Sequence, residues 1–307
     1  RHPRAHDPAG DVNLVTLGAA LGGRIERTWP LTGGVSAEVD AIVLVADGHR
    51  ETLVVRRHRH ADWKPVTDTV TATEFALLRG LHDAGLPVPA PRWLDAEATV
   101  LPTPGYVMAF VEGQTTVPDG PPDDVLDQMA TFLTDLHTRR LDGLPGLESR
   151  VDPVPELLEW LAPSETALRA ALSRLGPPAS PDAVLHGDFW SGNVLWRDGR
   201  LVAVLDWEDA ARGDPLSDLA GARIELLWRH GAPAMERFTT RYLRLHRLDV
   251  ARLPLWELYV GVSAAATMEH WGLDPEVERE MRRRTDGFVA TAQAATISLA
   301  AAGRSGS

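Results

Sequence analysis

Short apolar runs separated by turn residues mark the first third of the chain and predict β-strands. The run over 41–45 leads into Asp47-Gly48, a pair typical of a two-residue hairpin turn, and 52–56 follows as the return strand. Residues 106–111 form another strand candidate, and the prolines at 87, 89 and 91 enforce extended chain. Apolar residues at helical spacing add a short helix over 14–21 and a longer one over 70–84.

Helical spacing dominates after residues 115–122, a polar and proline-rich segment that we interpret as a linker. The later helices are predicted over about 123–139, 154–175, 216–230, 233–247, 254–270 and 275–300. A β insertion interrupts them, with strands over 194–196 and 201–205 around an Asp198-Gly199 turn. The pattern predicts a β-rich part over 1–112, beginning with a flexible leader of ten residues, and a helical part over 113–307.

The composition excludes several classes of catalytic site. The 307 residues contain no cysteine, which excludes cysteine nucleophiles, iron–sulfur clusters, cysteine-ligated zinc and disulfides. Lys64 is the only lysine, against 30 arginines, and no glycine-rich run precedes it. Because a P-loop needs Gly-Lys-Ser/Thr and the acyl-transfer sites of β-lactamases need Ser-x-x-Lys, both are excluded.

The net charge of the chain limits the classes of partner that it would bind. A net charge of −12 argues against nucleic acid or an anionic membrane as the main partner. The same acidity is compatible with a cationic substrate, and more commonly reflects an ordinary protein surface. No apolar run approaches the roughly 18–20 residues that span a bilayer, and the N-terminus does not resemble a signal peptide. We therefore expect a cytoplasmic protein. The oligomeric state stays open.

The residues with the clearest chemistry lie between 186 and 206. Asp188 and Asn193 are five residues apart, and Asp206 follows thirteen residues later at the end of an apolar run. The Asp198-Gly199 turn would fold Asp206 back beside Asn193. Their two oxygen ligands suit a hard cation such as Mg²⁺, which leaves Asp188 to accept a proton from a substrate hydroxyl. Phosphoryl transfer needs this division of labour.

Three motifs together resemble the aminoglycoside phosphotransferase family, a branch of the protein-kinase-like fold. They are His-Gly-Asp-x-x-x-x-Asn at 186–193, Leu-Asp-Trp-Glu at 205–208 and Gly-Asp-Pro-Leu-Ser-Asp-Leu-Ala at 213–220. Upstream landmarks at 31–36, 53–57, 73–78 and 85–89 extend the resemblance, which covers about 31–220. It implies an α+β, bilobal fold with a small β-rich nucleotide-binding lobe over 1–112 and a larger helical lobe over 113–307. The helical lobe would hold the catalytic loop and the substrate site.

The resemblance also implies a role for each matching residue. Asp188 would be the catalytic base, and Asn193 and Asp206 would hold Mg²⁺. The residues implied to contact ATP or GTP are Gly33, Gly34, Ser36, Arg56, Glu74, Met108 and Phe110. His186 and Asp218 would brace the catalytic loop. The implied reaction is Mg²⁺-dependent transfer of a phosphoryl group to a hydroxyl of a small molecule.

One residue departs from the family's pattern, because Arg56 stands where the protein-kinase-like strand usually supplies lysine. Lys64 lies eight residues further along the chain. An arginine fork does not bind phosphate as an ammonium group does. The departure motivates an alternative, a nucleotide-binding regulator with little turnover. An esterase is a weaker reading, because Gly34-Val35-Ser36-Ala37-Glu38 lacks the second glycine of Gly-x-Ser-x-Gly.

The acceptor stays open at this level. Acidic or aromatic residues that would face a cationic acceptor are Glu208, Asp209, Glu225, Glu269 and Trp271. Aminoglycosides, macrolides, amino sugars and amino alcohols all remain compatible, and so do both ATP and GTP. His58 and His60 have the spacing of a metal tract, but in this charged segment we expect them to be solvated.

Overall fold

The computed structural model describes residues 12–31, 37–58, 68–117, 121–141, 144, 146–178 and 182–302. These residues fall into two compact units. The sheet unit contains the chain up to Gly113, together with 141–146 and 202–208. The helical unit contains 114–140, 147–201 and the chain from Asp209 onward.

A five-stranded antiparallel sheet forms the centre of the sheet unit, with the strand order β1-β2-β3-β5-β4. The strands are β1 (Arg24–Pro30), β2 (Ala37–Ala46), β3 (His49–His58), β4 (Pro91–Asp95) and β5 (Gly105–Ala109). Asp47 and Gly48 join β2 to β3 with φ angles of 51° and 78°, as the hairpin signal predicts. The two strands that the sequence pattern did not indicate, β1 and β4, lie at the two edges of the sheet.

Two helices belong to this unit, α1 (Leu14–Ala20) and α2 (Asp68–Asp83). Leu17 of α1 packs with Ile42, Leu53 and Val55 in one core cluster. Side chains alternate along a strand, so Arg56 and His58 of β3 share the other face of the sheet. Both approach Glu74 of α2. The face of the sheet opposite this core cluster therefore carries buried charge.

Seven helices lie in the described part of the helical unit. They are α3 (Asp123–Thr138), α4 (Val154–Trp160), α5 (Thr166–Leu172), α6 (Leu216–His230), α7 (Ala232–Leu245), α8 (Leu253–Thr267) and α9 (Pro275–Ala302). The pattern over 154–175 predicted one helical stretch, but Pro163 lies between two short helices there. Arg169 of α5 donates to the carbonyl oxygens of Leu158 and Leu161, which satisfies the end of α4.

Short strands position the loop of greatest interest. The strands β6 (Glu148–Arg150), β7 (Ala183–Leu185) and β10 (Ala211–Gly213) form a small sheet with β10 in the centre. The strands β8 (Val194–Arg197) and β9 (Arg200–Val204) form a hairpin, and the division between the two units falls within β9. Residues 186–193 connect β7 to β8 and are called the 186–193 loop below. None of the described helices is both long and apolar enough to cross a membrane.

Candidate active site

The backbone of the 186–193 loop is anchored to the start of α6. Asp218, buried in the first turn of that helix, accepts hydrogen bonds from the backbone N–H groups of His186 at 2.7 Å and Gly187 at 2.9 Å. The Nδ1 atom of buried His186 accepts from the backbone N–H of Asp188 at 3.2 Å. The structure thus brings His186 and Asp218 together on the loop that carries Asp188, as the sequence analysis expected of bracing residues.

Gly187 is required where it stands. Its φ angle is +86°, and a Cβ atom there would lie 2.0 Å from the carbonyl oxygen of Asp209. The backbone of Asp209 therefore lies directly against the 186–193 loop, while the residue is exposed to solvent. Asp209, one of the acids predicted to face an acceptor, is next to the predicted base.

Asn193 fixes the carboxylate of Asp188. Its Nδ2 atom donates to the Oδ2 atom and to the backbone oxygen of Asp188, both at 2.9 Å. Asn193 itself is buried. With Nδ2 engaged as a donor twice, Oδ1 is the amide atom that suits a cation.

A second carboxylate of the helical unit lies within electrostatic range of Asp188. Burial raises the pKa of Glu225 to about 7, against the opposing charge of Arg229, and the charge of Asp188 contributes to the rise. The Arg229 Nε atom lies 3.2 Å from the Glu225 carboxylate one turn earlier on α6. Glu225, predicted as an acceptor-binding acid, is therefore close to the candidate base.

In the sheet unit, buried charges converge on Arg56. Its Nη2 atom donates to Asp206 and to Glu208, each at 2.9 Å, and its Nε atom lies 3.4 Å from Glu74. The predicted pair of Arg56 and Glu74 thus forms, with both side chains buried. Glu208 was expected to face the acceptor, but the structure engages its carboxylate with Arg56 instead. The apolar pattern of the sequence placed Arg56 on a strand, but it did not indicate that three acidic side chains surround the guanidinium.

The protonation of this cluster follows from its partners. Burial alone would raise the pKa of Glu74, but the charge of Arg56 and contacts with His58 and Tyr106 lower it to about 2. Burial opposes the charge of Arg56, yet Glu74, Asp206 and Glu208 raise the pKa of Arg56 above its usual range. Arg56 and Glu74 therefore hold each other in the ionised form.

Two polar residues of this cluster were missed or misread in the sequence. The hydroxyl of buried Tyr106, which is opposite Arg56 in the β3–β5 pairing, donates to Glu74 at 3.0 Å. His58 is buried with its Nε2 atom 3.1 Å from Glu74, so the expectation that it is solvated is wrong. Its position two residues after Arg56 is the signal that would have placed it on the same face.

Asp206 has an unusual backbone. Its φ angle is 65°, in the left-handed region that aspartate tolerates better than most residues. The indole N–H of buried Trp207 donates to the carbonyl oxygen of Val204, which holds the turn after β9. Arg56 pairs with the Oδ1 atom of Asp206, and the side chain of Asp206 is about one-third exposed. The carboxylate could therefore bind a cation while it keeps its ion pair with Arg56.

The other predicted nucleotide contacts are only partly described. Met108 lies in β5, and half-exposed Phe110 follows it, with its backbone N–H donating to the carbonyl oxygen of Thr52. Gly33, Gly34 and Ser36 lie outside the described residues, as do His60 and Lys64.

Glu269 and Trp271, also predicted to face an acceptor, lie close to the end of α8. Both are exposed just after α8, and Trp271 packs edge-on against Trp228 with 5.6 Å between ring centroids. Glu269 lies 3.6 Å from the neighbouring His270. The contacts described for these two predicted residues are thus with Trp228 and His270.

A buried polar chain extends from Asp218 away from the loop. His137 of α3 places its Nε2 atom 3.1 Å from Asp218 and its Nδ1 atom 2.7 Å from the hydroxyl of Tyr242 on α7. Burial raises the pKa of Asp218, but hydrogen bonding and charge from His137 and contacts with His186 lower it overall. The sequence pattern gave no signal for this chain, because its members come from three helices.

A cavity of about 520 Å³ opens elsewhere in the helical unit, among α6, α7, α8 and α9. Arg223 and Glu257 form an ion pair of 2.7 Å at its wall. The described residues that line it include none of the predicted site residues. No group of three or more histidines, aspartates or glutamates in the described chain has the arrangement of a metal centre.

The chain is similar in sequence to a family of known proteins. The family model described as "Phosphotransferase enzyme family" matches residues 30–265. Acyl-CoA dehydrogenase family member 11 of Gallus gallus is 29% identical over 212 residues, which cover 58% of this chain and 26% of that protein. The chain thus spans about a quarter of that relative's length. Hygromycin-B 4-O-kinase of Escherichia coli is 35% identical over 77 residues, covering 25% of this chain and 21% of that enzyme.

A solved structure shares the fold over nearly the whole chain. It is a thermostable mutant of an aminoglycoside phosphotransferase in a ternary complex with ADP and hygromycin B, with a TM-score of 0.56 and 18% identity. The match covers 97% of this chain and 99% of that one. This likeness confirms the predicted α+β, protein-kinase-like fold class.

Proposed function

The chain belongs to the phosphotransferase enzyme family, and on that premise we propose that it transfers the γ-phosphoryl group of ATP or GTP to a hydroxyl of a small molecule. The observation that carries the proposal is the 186–193 loop. Asp218 holds its backbone, and Asn193 holds the carboxylate of Asp188. A fixed carboxylate in a partly exposed loop is what a hydroxyl nucleophile needs.

Asp188 acts as the base in this proposal. It accepts a hydrogen bond from the acceptor hydroxyl, orients that oxygen for in-line attack on the γ-phosphorus, and takes its proton as the new P–O bond forms. The bond from phosphorus to the bridging oxygen of the nucleoside diphosphate breaks in the same transfer. His186 and Asp218 position the loop and take no proton from the substrate.

Asn193 and Asp206 would hold Mg²⁺. The two hydrogen bonds from Nδ2 leave the Oδ1 atom of Asn193 for a cation, and Asp206 is a carboxylate, about one-third exposed, beside a single guanidinium. Both supply the oxygen ligands that Mg²⁺ prefers. A bound Mg²⁺ neutralises phosphate charge and orients the transferred group.

Arg56, oriented by its ion pair with Glu74, would bind the α- and β-phosphates of the nucleotide. The ion pair between them is buried and oriented by Tyr106 and His58. Gly33, Gly34 and Ser36 would cover the phosphates, and the backbone around Met108 and Phe110 would contact the base. The solved relative with bound ADP supports a nucleotide as the donor.

The acceptor is proposed to be aminoglycoside-like, a macrolide, an amino sugar or an amino alcohol. Asp209 and Glu225 are the acids that lie near Asp188, and they would bind a cationic group of the acceptor. Glu269 and Trp271 would bind only a larger acceptor that reaches the end of α8. The relative in complex with hygromycin B supports this chemical class.

The test is Mg²⁺-dependent release of ADP or GDP with a panel of aminoglycosides, macrolides, amino sugars, homoserine and choline. We expect turnover with at least one acceptor. In Asp188→Ala we expect the rate of ADP or GDP release to fall at least about a thousand-fold, while the affinity for the nucleotide is retained. Asp182→Asn is the matched control, since Asp182 is exposed in the same unit and pairs only with Arg212 among the described residues. Full activity in Asp188→Ala would overturn the assignment of the base.

A second candidate, a nucleotide-binding regulator with little turnover, is favoured by one observation. Arg56 is held by Glu74, Asp206 and Glu208 together, so a nucleotide and Mg²⁺ must compete with an existing ion-pair network. Tight Mg-nucleotide binding without ADP or GDP release across the panel would favour this candidate over the enzyme.

A further inference from the structure

Trp190 is a side chain of the 186–193 loop to which neither the predicted motifs nor the proposed reaction assigns a role. Its indole N–H donates to the Oδ2 atom of Asp188 at 3.3 Å. Asn193 donates to the same oxygen at 2.9 Å. Two donors on one carboxylate oxygen restrict rotation of that carboxylate about its Cβ–Cγ bond.

The indole ring is itself held in place from within the loop. A Cβ atom on Gly192 would lie 1.9 Å from the Cη2 atom and 2.0 Å from the Cζ3 atom of Trp190. The ring therefore covers the backbone of Gly192 so closely that no side chain fits there. Glycine at position 192 makes this position of the ring available.

A second element, α6, also holds the ring. The guanidinium carbon of Arg229 lies 4.0 Å from the centroid of the Trp190 ring, within the range of a cation–π contact. Arg229 is in turn tied to Glu225, one turn earlier on the helix. The contacts run without a gap from Glu225 through Arg229 and Trp190 to Asp188.

We infer that Trp190 is a positioning residue for Asp188, and that Gly192, Arg229 and Glu225 set the position of its indole. The inference rests on the proposed phosphotransferase function, since it concerns the orientation of the proposed base. In this inference Trp190 acts through the carboxylate of Asp188, to which its indole N–H donates. Preorganised orientation of a catalytic group is worth a large factor in rate.

A double-mutant cycle separates positioning from mere packing. Trp190→Phe keeps an aromatic ring beside Gly192 and Arg229 but removes the N–H donor. We expect kcat for transfer, or for phosphate release to water from Mg-ATP or Mg-GTP, to fall about ten-fold with the nucleotide KM unchanged. In the Asp188→Ala background the same substitution should change the residual rate by less than about two-fold.

The cycle has clear contrary outcomes. An equal loss in both backgrounds would show a structural role and overturn the inference while leaving the phosphotransferase assignment intact. Absence of any wild-type turnover would overturn the proposed function and this inference with it. Trp160→Phe is the control, because this half-exposed indole of α4 packs on Tyr259. It should change the rate in neither background.

A measurement without turnover tests the hydrogen bond itself. In a ¹H–¹⁵N spectrum, the Trp190 indole resonance is identified by its loss in Trp190→Phe. We expect it to move upfield in Asp188→Ala, because the acceptor oxygen has gone. Gly192→Ala, which leaves Trp190 intact but displaces its ring, should move the same resonance and lower kcat. An indole resonance that stays in place in both variants would overturn the inference.

Discussion

Arg56 shows how much a single residue depends on its buried surroundings. It stands on β3 where its neighbour in register, Tyr106, and its partners Glu74, Asp206 and Glu208 all lie on one face of the sheet. A lysine has one ammonium group and cannot reproduce the separate contacts of Nε and Nη2. The three acidic side chains around position 56 therefore suit arginine better than lysine.

Removing Arg56 should destabilise the protein far more than removing its neighbour. Arg56→Met leaves buried Glu74 without its main opposing charge, and we expect a loss of ~3–5 kcal/mol in the free energy of unfolding. Arg57→Met is the matched variant on the same strand, whose partners Glu38 and Asp40 are 30% and 25% exposed. Its expected loss is ~1–2 kcal/mol. Urea denaturation of both variants tests this, and equal losses would contradict it.

Glu225 should make stability depend on pH in a defined direction. Its pKa is raised from 4.5 to about 7, so between these values the folded chain keeps a proton that the unfolded chain has lost. Rising pH through this window therefore costs stability. The free energy of unfolding of Glu225→Gln, taken relative to that of wild type, should therefore rise by ~1–3 kcal/mol from pH 5 to pH 8.

The measurement is the free energy of unfolding of both proteins at several pH values. Glu276→Gln is the control, since Glu276 lies in the first turn of α9 with a side chain that is 87% exposed. Its difference from wild type should stay within about 0.5 kcal/mol across the range. A Glu225→Gln difference that falls as the pH rises would show that the carboxylate is not held neutral.

At the scale of elements, α6 organises the helical unit's part of the candidate site. Its first turn supplies Asp218 for the backbone of the 186–193 loop, and later turns supply Glu225 and Arg229. The helix also packs against α7 and α8. The position of the loop is therefore fixed by a helix whose own position is set by apolar packing.

Asp218→Asn should disturb this anchor strongly. An amide retains one acceptor oxygen, whereas the carboxylate accepts from two backbone N–H groups and pairs with His137. We expect a loss of ~2–4 kcal/mol in the free energy of unfolding, because a buried backbone N–H is left unsatisfied. Asp182→Asn, at an exposed surface ion pair, should change stability by less than about 0.5 kcal/mol. Similar stabilities for the two variants would contradict the anchor.

At the scale of the whole molecule, the two units are interleaved along the chain. The sheet unit takes the first segment and then two short later ones, 141–146 and 202–208. The last of these brings Asp206 and Glu208 to Arg56. A single boundary after residue 112 would therefore leave two segments of the sheet unit, 141–146 and 202–208, on the other side.

A fragment that ends at Gly113 should fold poorly on its own. It keeps Arg56 and Glu74 but lacks Asp206, Glu208 and the end of β9 that belongs to this unit. We expect weak chemical-shift dispersion and a broad thermal transition for the fragment, in contrast to the full chain. A fragment as stable as the full chain would show that the later segments do not contribute.

The hydrophobic pattern determined most elements and the order of the candidate motifs. Turn dipeptides gave both hairpins, and helical spacing gave α2, α3 and α6–α9, because these elements bury one continuous apolar face. The pattern did not indicate the edge strands β1 and β4, since an edge strand needs little apolar periodicity. Most residues of β1 are exposed, and β4 has only five residues, of which Asp95 alone is buried. Proline at the start of β4 is tolerated for the same reason.

The sequence by itself also determined the kinds of residue available for chemistry: one carboxylate, one amide and a second carboxylate at fixed spacing, with no cysteine and a single lysine. Only the tertiary structure decided their environments. Burial of His58, the use of Glu208 as a partner of Arg56, the raised pKa of Glu225 and the contacts of Trp190 all depend on neighbours that are distant in sequence. The physical reason is that desolvation and charge pairing depend on distances in space, which no one-dimensional spacing specifies.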